Sequence, residues 1–216
     1  MTDILTLRPL ERDQWPSAMT LAARSFQSEP FIIELFGVEP VQRFTLAQQY
    51  YLSSQWYDNE LHLGAYVGEV LVGLCLSSPA GQCHVCEHTD PARPPDGPTS
   101  VDWSFKVRVR AAHADQGTHG WLSRLAVDPA LQRAGIGRSL ITHTLERHRV
   151  DRAHTVLLEC QPHREDLIPR RGRSRLRPHA YRLGGNRSRV THGADSSLHE
   201  RALRGRSGYS LLPVPI

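Results

Sequence analysis

The residues of this 216-residue chain best suited to chemistry form a short loop, Gln132-Arg-Ala-Gly-Ile-Gly-Arg138. Gly135 and Gly137 let the backbone approach a ligand closely, and an amphipathic run that follows predicts a helix. The first N–H groups of a helix have no acceptor within it and lie at the positive end of its dipole. With Arg133 and Arg138 beside them, these groups favour a bound phosphate.

Two common phosphate-binding motifs do not fit this loop. A Walker loop ends in Gly-Lys-Ser/Thr, and the only lysine of the chain is Lys106. The dinucleotide fingerprint has a third glycine and an acidic residue about 20 positions later, whereas this loop has only Gly135-Ile-Gly137. Neither motif therefore identifies a ligand for this loop.

The loop lies between a predicted strand and a predicted helix. Residues 121–127 alternate, with Trp121, Ser123, Leu125 and Val127 on one face and Leu122, Arg124 and Ala126 on the other. Both faces are largely apolar, which is typical of an interior strand. Asp128-Pro129 ends the strand, and helical spacing of apolar residues follows at Ile136, Leu140, Ile141 and Leu145.

A strand ending in Leu-Ala-Val-Asp-Pro, followed by Gln-x-x-Gly-x-Gly, resembles the acetyl-CoA-binding motif of the GCN5-related N-acetyltransferase (GNAT) superfamily. The resemblance covers Trp121–Arg149 and weakens outside it. It implies an α/β fold with a mixed central sheet, helices on both faces and two strands that splay apart at the acetyl-CoA site. It also implies an acyltransferase that moves acetyl from acetyl-CoA to a primary amine by direct attack. An ordinary strand–turn–helix, with glycines for turn geometry, is the alternative.

The resemblance further implies which residues bind acetyl-CoA. The pyrophosphate would lie on the backbone amides of Arg133–Ser139, and backbone groups of Leu125 and Val127 would pair with the pantetheine amides. The implied set is Leu125, Ala126, Val127, Gln132, Arg133, Ala134, Gly135, Ile136, Gly137, Arg138 and Ser139.

Other elements follow from apolar spacing and turn residues. Strands are predicted at 4–10, 61–67, 70–77 and 152–160, and helices at 11–26 and 40–57. The strand at 152–160 should lie parallel to the strand at 121–127, because such connections are right-handed. The resemblance implies that the early helices line the acceptor groove.

Acetyl transfer to an amine requires removal of a proton, because an amine with a pKa near 10 is protonated at neutral pH. His119 and Glu159 are the candidate bases, and a base acting through water is the alternative. The tyrosine that serves as acid in the family has no match at its usual place, where Ile168 and Pro169 stand instead. Tyr181 is a later and weaker candidate.

The connection from Ser78 to Gly120 is irregular and contains Cys83-His-Val-Cys86-Glu-His88. Cys83 and Cys86 have zinc spacing, and His84 or His88 could be a third ligand. A second Cys-x-x-Cys or His pair is missing, so no metal is predicted. Two incidental loop cysteines fit better than a zinc or redox pair.

The net charge of +4 hides an uneven distribution. Residues 1–163 contain 14 basic and 18 acidic residues, whereas residues 164–216 contain 12 arginines, no lysine and 4 acidic residues. We therefore divide the chain into an acetyltransferase domain at 1–168, with an irregular insertion at 78–120, and an atypical, poorly ordered Arg-rich segment at 169–216. The closing strands of the sheet are expected to be missing there, which would impair activity.

Two explanations of the basic segment are open. It is either a tail that binds nucleic acid through arginine, or the product of a reading-frame change near Leu167 in a GC-rich gene. The first explanation supports a rival function: a non-catalytic or degenerate acyl-CoA-binding domain. No apolar run of 18 residues and no leader is present, so a cytoplasmic protein is expected. A homodimer is an open alternative to a monomer.

Overall fold

The structure is a computed structural model that describes residues 4–53, 61–82, 107, 109–114, 116–150, 154–160, 179–182 and 208–215. The predictions for Cys83, His84, Cys86, His88, Ile168 and Pro169 concern residues outside these ranges. In the described part of the chain, no helix has the length and apolarity needed to cross a membrane.

Seven strands form one sheet in the order β1-β2-β3-β4-β5-β7-β6. Their bounds are β1 Leu5–Pro9, β2 Leu63–Val67, β3 Val70–Ser78, β4 Gly120–Val127, β5 Thr155–Cys160, β6 His179–Arg182 and β7 Gly208–Pro215. Among these described strands, the central β4–β5 pair is parallel and the other five pairs are antiparallel. The sheet is therefore mixed, as the sequence predicted.

In the described part of the chain, the longer helices are α1 Trp15–Phe26, α2 Pro30–Phe36, α3 Pro40–Leu52 and α4 Ile136–Val150. A 3-10 turn at Arg12–Gln14 precedes α1, and residues 109–114 are also helical. Each of the first three helices has a proline in its first turn, where the missing N–H costs no hydrogen bond. Helix α2 was not predicted, because a proline after the predicted helix at 11–26 is read as a helix break, whereas Pro30 is the first residue of the next helix.

The helices cover both faces of the sheet, and each face has its own apolar core. On the α1–α3 face, Met19 and Ile32 pack with Leu74 and Ala126. On the α4 face, Leu140 and Ile141 pack with strand residues that include Leu63, Cys75, Val156 and Val214. The predicted arrangement of helices on both faces is confirmed.

Strand β4 contains a β-bulge, so its side chains do not alternate as the sequence predicted. Leu76 pairs with Arg124 and Ser77 with Leu122, so Ser123 is an extra residue between them. An extra residue reverses the alternation of side chains. Leu122 therefore packs on the α4 face together with Leu125 and Val127, whereas Ala126 packs on the α1–α3 face. The sequence analysis had placed Leu122 and Leu125 on opposite faces.

The expectation that the sheet lacks its closing strands is also wrong. All six residues of β5, from Thr155 to Cys160, pair with β7, and β6 pairs with the outer edge of β7. Both strands come from the Arg-rich segment. The short apolar run at the end of the chain, which includes Leu211 and Leu212, supplies β7. The domain boundary at residue 168 stays a prediction.

Candidate functional site

The two parallel strands at the centre of the sheet separate part-way along their length. Gly120, Trp121 and Leu122 pair with Val156, Leu157 and Leu158, and the β4–β5 pairing ends there. Strand β4 continues to Val127, while Glu159 and Cys160 of β5 continue only with β7 as a partner. The implied splay between these two strands is present, and it opens after Leu122.

The backbone of β4 presents hydrogen-bonding groups to this opening. The N–H of Asp128 donates to the Val72 carbonyl on the β3 side, at 2.8 Å. Successive residues of a strand direct their backbone groups to opposite sides, so Val127 and Leu125 direct theirs toward β5, which is no longer paired at that level. A ligand between the strands would therefore meet the N–H and C=O groups of these two residues.

Side chains fix the turn that follows β4. Asp128 accepts a hydrogen bond from the Ala130 N–H at 3.0 Å and pairs with Arg24 of α1 at 2.5 Å. The Val127 carbonyl accepts from the Ser25 hydroxyl at 3.0 Å and from Gln132 Nε2 at 3.3 Å. Gln132, an implied cofactor residue, thus holds the loop against the end of the strand.

The loop reaches α4 through two residues in the left-handed region, Arg133 with φ of 69° and Gly135 with φ of 86°. The first hydrogen bond of the helix runs from the Ser139 N–H to the Gly135 carbonyl, at 3.0 Å. The N–H groups of Ile136, Gly137 and Arg138 come earlier in the helix and have no acceptor within it. Both arginines are exposed, so this end of α4 presents free donors beside two positive charges.

The neighbouring protein atoms leave room for a side chain at Gly137. A Cβ added there would lie 3.6 Å from a Val127 methyl and 3.7 Å from a Leu125 methyl, which is ordinary contact. Packing within the protein therefore does not require glycine at this position. A ligand that approaches the backbone closely would require it.

His119 lies immediately before β4 and is buried together with His113 of the helical residues 109–114. His119 Nδ1 is 2.6 Å from the Gly117 carbonyl, which can only accept, so Nδ1 carries the proton. His119 Nε2 lies 3.2 Å from His113 Nδ1, and in neutral His119 this nitrogen accepts a hydrogen bond from His113 Nδ1–H. Burial, opposed by the Gly117 hydrogen bond, lowers the pKa of His119.

The three candidate catalytic residues lie at different places relative to the opening. Glu159 is the first β5 residue after the pairing with β4 ends. His119 precedes Leu122 by three residues, roughly 10 Å along an extended chain. Tyr181 lies on β6, which is separated from β5 by β7, so its backbone is about 10 Å from that of β5. The three residues therefore do not gather at one point of the sheet.

A buried thiol near the sheet centre can be set aside as a nucleophile. Cys75 is fully buried and accepts a hydrogen bond from Thr144 Oγ1 at 3.2 Å. Burial raises the pKa of the Cys75 thiol to about 12, so the reactive thiolate is scarce at neutral pH. Among the described residues, no three His, Cys, Asp or Glu side chains form a group able to hold a metal ion.

Two further residues, Arg124 and His113, could not be recognised as candidates from the sequence. Arg124 lies on the α1–α3 face with its guanidinium carbon 5.2 Å from the centre of the Tyr51 ring. His113 reaches His119 from a segment that the sequence marked only as irregular. The β-bulge determines on which face of the sheet Arg124 lies. It cannot be recognised from the alternation of apolar residues in the sequence.

A sequence profile of the acetyltransferase (GNAT) family matches residues 30–169, well over half of the chain. The chain belongs to the GNAT family. No curated protein sequence matches this GNAT chain significantly.

Solved structures share the GNAT fold over nearly the full length of the chain. An apo mutant of an agmatine N-acetyltransferase is 14% identical, with 98% of this chain and 99% of that chain covered and a TM-score of 0.64. Drosophila melanogaster polyamine N-acetyltransferase is 14% identical, with 99% and 100% covered and a TM-score of 0.63. Mosquito arylalkylamine N-acetyltransferase-like 5b is 12% identical, with 99% and 100% covered and a TM-score of 0.64. At such identities, these similarities show the fold alone.

Proposed function

We propose that this GNAT protein is an N-acetyltransferase that moves the acetyl group of acetyl-CoA to a primary amine. The main support for the proposal is that three features follow one another along β4. The strand leaves β5 after Leu122, exposes its backbone edge as far as Val127, and leads directly into the turn before the α4 N-terminus. A long ligand with an anionic end matches that path.

The anionic end belongs at the loop. The free N–H groups of Ile136, Gly137 and Arg138 and the positive end of the α4 dipole favour a pyrophosphate. Arg133 and Arg138 add two exposed guanidinium groups, which bind phosphate oxygens in a bidentate manner. The proposed pyrophosphate site therefore spans Arg133–Ser139, and Ala134 and Gly135 contribute backbone only.

The pantetheine arm belongs in the opening between β4 and β5. Its amides would complete the strand-like hydrogen bonds of Leu125 and Val127, whose backbone groups point away from β3. The Val127 carbonyl already accepts from Ser25 and Gln132, so its N–H and the groups of Leu125 are the more available partners. The side chain of Ala126, which lies between these two residues, packs in the core on the α1–α3 face.

The bound thioester supplies an activated acetyl carbon, which the neutral amine nitrogen attacks. A C–N bond forms, the C–S bond breaks, the amine gives up one proton, and the departing sulfur takes up one proton. The chain must therefore provide a proton acceptor near the opening. We favour Glu159 over His119, because Glu159 stands at the separation of the strands whereas the Nε2 lone pair of His119 faces His113. Because β7 lies between β6 and β5, Tyr181 would deliver a proton to the departing sulfur only through water.

Calorimetric titration with acetyl-CoA and a CoA-release assay with a panel of primary amines test the proposal. The wild-type protein should bind acetyl-CoA with micromolar affinity, and Gly135→Asp should abolish binding because it adds a negative charge and a side chain at φ of 86°. Glu159→Gln should retain binding and lose most of the turnover. Binding without turnover on any amine would favour a non-catalytic acyl-CoA-binding domain. Absence of binding by a folded wild-type protein would contradict both functions.

A further inference from the structure

Two consecutive residues at the end of α1 hold two consecutive residues at the end of β4. The Ser25 hydroxyl donates to the Val127 carbonyl at 3.0 Å, and the Arg24 guanidinium pairs with the Asp128 carboxylate at 2.5 Å. Each contact joins residues more than 100 positions apart in the chain. Helix α1, which lies outside the run from β4 to α4, is therefore tied to the strand end where the cofactor loop begins.

The last peptide group of β4 is held at both of its ends. The Asp128 N–H donates to the Val72 carbonyl at 2.8 Å, and the Val127 carbonyl of the same peptide accepts from Ser25 and from Gln132 Nε2. Because a peptide group is planar, bonds at both ends fix its direction. That direction limits the position of the adjacent Val127 N–H, the proposed partner of the pantetheine arm.

All the polar groups of Asp128 have partners in the turn. Its N–H and C=O are bonded to the Val72 carbonyl and to the Leu131 N–H, both at 2.8 Å. One carboxylate oxygen accepts from the Ala130 N–H at 3.0 Å, and the other pairs with Arg24. The carboxylate thus shapes the turn, and Arg24 compensates the negative charge that it brings.

This compensation matters because the turn lies beside the proposed pyrophosphate site. A Cβ added at Gly137, in the first turn of α4, would lie 3.6 Å from a methyl group of Val127. Asp128 is the next residue, so chain geometry places its carboxylate on the order of 10 Å from that first turn. An uncompensated carboxylate at such a distance repels a pyrophosphate, most strongly at low salt concentration.

We propose that Arg24 and Ser25 are positioning residues for acetyl-CoA. Ser25 acts through the Val127 peptide, and Arg24 acts through Asp128. This inference rests on the proposed acetyltransferase function and adds the end of α1 to the acetyl-CoA site. The Arg24–Asp128 pair is partly exposed, and such pairs add little to stability, so its loss should be seen in ligand binding more than in unfolding.

Calorimetric titration with acetyl-CoA tests the role of Ser25. Ser25→Ala should raise Kd about fivefold, as expected when one hydrogen bond that holds the site is removed. Ser25→Thr keeps the hydroxyl and should bind nearly as the wild-type protein does. Thr20→Ala is the matched control, because the Thr20 hydroxyl lies on the same helix and donates to the Pro16 carbonyl within it. This control should leave Kd unchanged.

A charge cycle tests the role of Arg24. Arg24→Met should raise Kd for acetyl-CoA about fivefold at low salt, and less at high salt, where the exposed carboxylate is screened. Adding Asp128→Asn should restore most of the affinity, because the amide oxygen can still accept from the Ala130 N–H but carries no charge. Arg8→Met breaks a partly exposed ion pair with Glu69 elsewhere on the sheet and should leave Kd unchanged.

Steady-state kinetics add a second measurement. Because neither side chain is expected to touch the reacting atoms, Ser25→Ala and Arg24→Met should raise KM for acetyl-CoA and leave kcat at saturation nearly unchanged. A fall in kcat with KM unchanged would contradict the positioning role.

Failure of the inference and failure of the proposed function give different results. A wild-type protein that binds acetyl-CoA, with Ser25→Ala and Arg24→Met variants of equal affinity, would overturn the inference alone. Equal losses in the Thr20→Ala and Arg8→Met controls would overturn it as well, because they would show a general effect of substitution. Binding without turnover on any amine would overturn the catalytic function, and the calorimetric comparison would still decide the inference. Absence of binding by the folded wild-type protein would contradict both.

Discussion

Ser77 and His148 join the central sheet to α4 through a hydrogen bond of 3.0 Å between Ser77 Oγ and His148 Nε2. Both side chains are fully buried. The imidazole occupies the space next to Gly120, where an added Cβ would lie 2.6 Å from His148 Cε1 and 2.7 Å from Nδ1. The first residue of β4 is therefore glycine because the His148 ring needs that space.

The first prediction concerns this contact. Gly120→Ala should lower the free energy of unfolding by about 2 kcal/mol or more, because a buried ring must move and its hydrogen bond to Ser77 is broken. Urea denaturation measures the change. Gly120→Ala in a His148→Ala background should cost much less, because the obstructing ring is gone. Equal costs in the two backgrounds would contradict the steric explanation.

The second prediction separates stability from ligand binding at Gly137. A Cβ at this position makes only ordinary contacts, and alanine is favoured over glycine in a helix by about 0.5–1 kcal/mol. Gly137→Ala should therefore unfold at the same or a higher urea concentration than the wild-type protein. Its affinity for acetyl-CoA in calorimetry should fall at least tenfold, because the methyl group occupies the approach to the helix N-terminus. Wild-type affinity would show that no ligand approaches the backbone there.

The third prediction uses the left-handed conformation of Arg133. A residue other than glycine costs about 1–2 kcal/mol in this region, and the φ of Arg133 is 69°. Arg133→Gly and Arg133→Ala both remove the guanidinium, so both should weaken acetyl-CoA binding to a similar extent. Their stabilities should differ by about 1 kcal/mol in favour of glycine. Equal stabilities in urea denaturation would mean that the backbone changes its conformation when Arg133 is replaced.

The fourth prediction concerns pH. Burial lowers the pKa of His119 in the folded protein below its ordinary value of about 6.5, so the unfolded chain binds the proton more readily. The stability that neutral His119 contributes is present above that ordinary pKa and is lost as the pH falls through it toward the folded-state pKa. The free energy of unfolding should therefore decline between about pH 7 and pH 5.

His119→Asn provides the control for this titration, because the asparagine amide can still donate toward the Gly117 carbonyl that His119 Nδ1 contacts at 2.6 Å. The stability of this variant should depend less on pH over the same interval. Other buried histidines, such as His113 and His148, remain in both proteins. The difference between the two pH profiles therefore reports His119 together with its hydrogen bond to His113, and identical profiles would contradict the prediction.

Elements with a local sequence pattern could be predicted without the structure. The run from Trp121 to Arg149 specified a strand, a glycine loop and an amphipathic helix, and the structure has β4 and α4 there. The hairpin of β2 and β3 was equally clear, because Gly68-Glu69 lies between two apolar strands. Chain chirality then placed β4 beside β5, and the family membership confirms the fold that the loop motif suggested.

Features that depend on residues far apart in the chain could be seen only in the folded protein. Arg124 faces Tyr51 only because β3 pairs with β4 through a bulge, and a register shift between two strands cannot be read from either strand alone. Strand β7 was overlooked because its partner β5 lies distant in sequence, across a segment dominated by arginine. Likewise, His113 and His119 meet, and Ser77 meets His148, because packing brings together polar residues that carry no local signal of a partner.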